Sequence, residues 1–108
     1  SISGQSFNFG PSSDSNYKVI EVVKKLSENW IGSKWEITKN EKTFYESKLL
    51  KLNCDKALSL INWKPTLNFE NTMRFTSEWY YNFYEENDID IYEKCCRQIK
   101  EFTKKMNA

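Results

Sequence analysis

The sequence predicts an α/β fold in a mostly helical piece of one domain, and three patterns carry that reading. Gln5 to Phe9 sets Phe7 and Phe9 in alternation and is closed by Gly10-Pro11, which reads as a short strand. Val19, Ile20, Val22, Val23 and Leu26 then recur with helical period, so a strand is followed by a helix. In the C-terminal half, three stretches open on Asn or Asp and continue with apolar residues three and four apart, the pattern of successive helices.

Taken in order, Asp14, Ser15 or Asn16 is placed to cap the first helix, which should end near Trp30 and Gly32. Trp35 to Ile37 reads as a possible second strand, and the polar run from Asn40 to Thr43 as a loop. Leu49, Leu50 and Leu52 form a short extended or irregular run. Asn53 has an oxygen to offer the free N–H groups of a following turn, and Asp55 sets a negative charge at the positive end of the helix dipole. Ala57, Leu58, Leu60 and Ile61 carry that helix for two turns. Asn62 tolerates the left-handed backbone that closes a helix, Trp63 folds back, and Pro65 forbids continuation.

Asn68 caps the next helix, where Phe69, Met73, Thr76, Tyr80 and Phe83 recur. Asp88 or Asp90 starts the last, with Ile91, Cys95, Ile99 and Phe102 expected inward and Lys100, Lys104 and Lys105 outward.

Composition bounds the function. At 108 residues the chain has one domain's length and supports a modest core. Sixteen Lys and Arg against fifteen Asp and Glu give a net charge of +1, so no electrostatic footprint points to nucleic acid or an anionic membrane. Three cysteines without a C-x-x-C pair fit neither a disulfide framework nor a zinc site and suit a reducing, cytoplasmic setting. No apolar run approaches the roughly 20 residues of a membrane span. A first residue of Ser, opening almost directly on a strand-like run, suggests a piece of something larger.

The aromatic run Trp79 to Tyr84 points around the whole helix axis, which suits a helix covered on several sides or a subunit contact better than a base-stacking strip. Trp63 and Trp79 read as packing anchors. Lys94, Arg97, Lys100, Lys104 and Lys105 read as a solvated face, and Cys95 and Cys96 as buried thiols.

A resemblance carries the reading further. "YESKLLKLNCDKALSLINWKP" resembles the run H-E-A-x-x-L-x-L-D-x-S-K-A-x-x-L-L-G-W-x-P of sugar-nucleotide dehydratases and epimerases in the extended short-chain dehydrogenase/reductase superfamily. "GQSFNFGP" is similar to their G-x-x-F-N-F-G-P strand and turn. "LNFENTMRFTSEWY" is similar to their L-E-x-A-L-x-x-T-x-x-W-Y helix. "CCRQIKEF" resembles their C-x-x-Q-I-x-x-Y tail, and with the H-E-A-like start it favours the CDP-glucose 4,6-dehydratase group.

The resemblance implies the C-terminal, substrate-binding portion of a Rossmann-type enzyme fold, spanning residues 1–108, with the NAD-binding domain lying outside them. In the family, NAD takes hydride from sugar C4, water leaves from C5 and C6, and hydride returns to C6. NAD is then expected in the parent enzyme and not in this piece, since Gly4, Gly10 and Gly32 are too far apart for a phosphate cradle. No catalytic or metal-binding residue carries over. Tyr45 stands where the family has His and Ser47 where it has Ala, while Glu46 matches, so Tyr45 and Glu46 are the candidates for lining the substrate pocket. An ordinary solvated or ion-paired carboxylate is the plainer reading of Glu46. Asn53 and Asn62 replace the family's Asp and Gly and keep the cap and the left-handed position.

The implied partners are a nucleotide sugar, the chain's own N-terminal domain and a second copy, by dimerisation or by a swap of the unpaired strand. Another nucleotide sugar, or a noncatalytic binding or oligomerisation module, are the competing readings.

Overall fold

A computed structural model describes residues 1–12, 16–37, 52–86 and 90–108. Among them lie four helices, α1 (Val19–Glu28), α2 (Asp55–Ile61), α3 (Phe69–Glu85) and α4 (Ile91–Met106), and no strand. The α/β expectation, and with it the Rossmann-type fold implied by the resemblance, is therefore overturned. Alternation alone does not make a strand, because the backbone groups need a neighbouring ladder. None is present for Gln5–Phe9 among the described residues, and the Gln5 N–H is instead taken up in a turn by Ile2 O at 3.2 Å. Trp35–Ile37 likewise forms no strand.

α3 and α4 start where a side chain satisfies their first free N–H groups, whereas α2 starts after Cys54 rather than at the expected cap Asn53, and Cys54 gives it no side-chain cap. Asn68 Oδ1 accepts from Asn71 N–H at 2.8 Å, and Asp90 Oδ1 accepts from Tyr92 and Glu93 N–H at 3.0 and 3.4 Å. Both are side-chain caps. At α1 the cap residue is Lys18 rather than Asn16, and Glu21 reaches back to accept the Lys18 N–H at 2.8 Å. Asp14, Ser15 and Asp88 lie outside the described residues.

The helices pack as α1 on α3 and α3 on α4. Ser77 donates to Leu26 O at 3.0 Å, Tyr81 meets Trp30 edge-on at 6.1 Å, and Tyr17 stacks on Phe69 at 3.7 Å, so α1 runs parallel to α3. Against α4 the order reverses. Arg74 meets Glu101, Gln98 donates to Phe75 O at 2.8 Å, and Lys94 meets Glu78, which makes α3 and α4 an antiparallel hairpin. Phe75 and Ser77 are buried on α3, and Ala57 is buried on α2. Among the described residues nothing else is, so the core is thin.

The inward face of α4 differs from expectation at one position. Ile91, Cys95 and Phe102 are partly covered, but Ile99 is 64% exposed and Gln98 faces α3 in its place. At 100° per residue the face centred on 91, 95, 98 and 102 turns Ile99 past the edge of the contact.

Candidate functional site

Residues far apart in the chain meet where the Ser6–Gly10 segment lies along α2. Asn53 Oδ1 accepts the Asp55 N–H at 2.8 Å, tightening the turn that leads into the helix. From the first turn of α2, Lys56 Nζ donates to Ser6 O at 2.9 Å and stands 4.9 Å from the centre of the Phe7 ring. Hydrogen bond and cation–π contact together tie one side chain to the distant segment. Gly10 lies against the same seam: a Cβ there would stand 3.4 Å from both Cβ and Cδ1 of Leu52, which is close contact.

At the far end of α2, Asn62 takes φ 53° and ψ 35°, the left-handed region the sequence reading reserves for it. That turn sends both the Asn62 N–H and, at 3.1 Å, the Trp63 N–H back to Ala57 O, so one carbonyl of α2 takes up the two N–H groups that leave the helix. The Trp63 indole then meets Phe9 edge-to-face at 5.0 Å. Lys56 and Trp63 thus hold the two ends of one seam, and Ala57 is enclosed between them in the chain.

The substrate-pocket candidates, Tyr45 and Glu46, lie outside the described residues. On the described side the seam offers a lysine already engaged with a carbonyl, two phenylalanines and an indole. Such a set can form an apolar wall with one cationic point; the free thiol of Cys54, 3.9 Å from Gly10 O, lies at the same seam with no base beside it among the described contacts.

The hairpin carries the second polar constellation. Arg74 Nη2 contacts Glu101 Oε1 at 2.6 Å and its Nη1 contacts Glu78 Oε1 at 3.4 Å, while Lys94 reaches Glu78 Oε2 at 3.3 Å. The hydrogen bond from Arg74 holds the Glu101 carboxyl below the usual carboxylate range, and the same bond to Glu101 raises the guanidinium's pKa. Lys94 is therefore an ion-pair partner rather than part of a freely solvated face. Trp79 Nε1–H donates to Cys95 Sγ at 3.2 Å, which gives the half-buried indole its partner. Cys95 and Cys96 are both half-buried thiols.

An open groove of about 520 Å³ runs between α1 and the start of α3, lined by Tyr17, Glu21, Lys24, Lys25, Glu28 and Glu70 among others. Its charges are mixed in sign and none is buried, so they favour no one ligand charge.

Among the described residues no group of His, Cys, Asp or Glu is arranged to hold a metal ion. No glycine turn opens a helix among the described residues. α1 starts after Lys18, with no glycine turn at its N-terminus, and of the three glycines Gly10 packs on Leu52 while Gly4 and Gly32 stand in open turns elsewhere.

Sequence reasoning missed Lys56, Gln98 and the Arg74–Glu101 pair. Each acts across 23 to 50 residues of chain, and helical period assigns a face without naming the partner. For Gln98 a signal existed, because it shares the 91, 95, 102 face. Among the described residues no helix is long and apolar enough to cross a membrane. Compared with known proteins, the chain matches no family model, no curated protein and no solved structure.

Proposed function

We propose that these residues form the substrate-side, C-terminal part of a sugar-nucleotide 4,6-dehydratase that converts CDP-D-glucose to CDP-4-keto-6-deoxyglucose. One observation carries the reading: the four sequence blocks that resemble this family meet in space as two pairs. The "GQSFNFGP" block lies on the "LNCDKALSLINWKP" block through Lys56–Ser6, Lys56–Phe7 and Trp63–Phe9. The "MRFTSEWY" block lies on the "CCRQI" block through Trp79–Cys95 and Gln98–Phe75.

In this reading the chain shapes and closes one side of a pocket, with Tyr45 and Glu46 nearest the sugar. The described residues supply apolar surface and positioning. They contain neither a dinucleotide cradle nor an acid–base pair, so no chemical step is assigned to them. The 108-residue chain alone is expected to produce no 4-keto sugar.

The deciding experiment offers CDP-, dTDP- and GDP-glucose to the complete polypeptide that carries these residues and follows the 4-keto product. Preferential turnover of CDP-glucose is expected. Equal turnover of all three removes the cytidine assignment, and no turnover of any removes the dehydratase reading.

A further inference from the structure

The α3/α4 hairpin has two unlike edges. One carries the ion pairs of Arg74, Glu78, Lys94 and Glu101. Helical period places the opposite edge over Trp79, Tyr80 and Phe83 of α3, and a groove of about 400 Å³ along it is lined by Phe75, Thr76, Trp79, Tyr80 and Gln98. On α4 this edge continues into Tyr92, Cys96, Ile99, Thr103 and Met106, spaced alternately four and three residues apart, the repeat of a helix-pairing seam. Nothing covers it. Tyr80, Phe83, Tyr84, Tyr92, Ile99 and Met106 are between 45% and 75% exposed.

We propose that this face pairs with the same face of a second copy of the chain, the two α4 helices running antiparallel. The inference goes beyond the dehydratase reading and does not depend on it. Area is the first argument. With aromatic side chains at about 200 Å² each, the six exposed residues leave on the order of 700 Å² uncovered. A stable interface takes ~800 Å² from each partner, and flanking stems supply the difference.

Charge selects the occupant and its direction. α4 begins with Asp90 and Glu93 and ends with Lys104 and Lys105, with Lys100 between. Glu93 and Lys100 flank the seam on the same side, one heptad apart. Antiparallel pairing centred near Arg97 sets Glu93 of each copy beside Lys100 of the other, and each acidic end against a basic one. Parallel pairing would instead set the two acidic ends together and the two basic ends together, and leave Glu93 and Lys100 without each other. The face is thus complementary to itself in one orientation, as a two-fold contact requires.

Sedimentation equilibrium of the 108-residue chain tests this, with circular dichroism on each variant to confirm the helices. A monomer–dimer equilibrium is expected, and Ile99→Glu, at an exposed position, should weaken it about tenfold or more. Lys100→Glu and Glu93→Lys should each weaken it several-fold, and the double swap should restore it. A short bifunctional maleimide should join Cys96 to Cys96, as peptide mapping would show. A chain that stays monomeric at NMR concentrations overturns the proposal. So does a dimer indifferent to Ile99→Glu, or charge swaps whose combination fails to rescue.

Discussion

The α3/α4 hairpin and the α2 seam both bring remote residues together, but by different means. Two helices of 17 and 16 residues build the hairpin, each opened by a side-chain cap, and their cross-links span only 16 to 27 residues of chain. In the seam a helix of 7 residues is joined to a segment without secondary structure, across 42 to 54 residues. A 7-residue helix is too short to stand by propensity, and its contacts close longer loops. The difference teaches that the hairpin is encoded locally and the seam depends on tertiary contact. Cutting one contact should therefore act globally in the first region and locally in the second.

The largest expected effect is at Phe75, buried in the hairpin. Phe75→Ala should cost about 3 kcal/mol or more and lower the urea midpoint by every probe alike. Trp63→Ala removes a half-buried ring and should cost about 1–2 kcal/mol, seen as loss of α2 with the hairpin signal retained. An equal, global effect at Trp63 would break the comparison.

Asn62 sharpens it. Asn62→Ala forces a β-carbon with no polar compensation into the left-handed region and should cost about 1 kcal/mol, while Asn62→Gly should be neutral within a few tenths. Urea denaturation of both variants separates backbone strain from the loss of the amide group.

The smallest effect is electrostatic. Because the folded-state pKa of Glu101 is depressed, its ion pair with Arg74 stabilises the hairpin fully above the ordinary carboxylate pKa. That contribution is lost as pH falls through the depressed value. The acid-side slope of stability should be shallower in Glu101→Gln than in the parent chain. High salt should narrow the difference, since the pair is partly exposed.

What was legible in the sequence follows the same division. Asn68, Asp90 and Asn62 carry their signals in their own side chains and neighbours, and the helices they bound form where those signals place them. Asp55–Ile61 closes on Asn62 and Trp63 as the Asn-Trp-Lys-Pro stop implies. Gln5–Phe9 reads as a strand only if a neighbour accepts its ladder, and no local pattern reports one. Phe7 and Phe9 are used instead as ring contacts for Lys56 and Trp63. Ile99 shows the limit within a helix, since period groups it with the inward set while the narrow contact with α3 leaves it outside. For the substrate pocket, Tyr45 and Glu46 rest on the resemblance alone, as they fall outside the described residues.

Native-state amide hydrogen exchange compares the two regions residue by residue in one experiment. The N–H groups of Phe75, Ser77 and Trp79 in α3 and of Cys95 and Gln98 in α4 should exchange slowest, at the rate of global unfolding. Those of Leu58 and Trp63, which close α2, should exchange at least ~10-fold faster through local opening. Equal protection in the two regions, or slower exchange in α2, would contradict a hairpin that holds itself and a seam that is held by others.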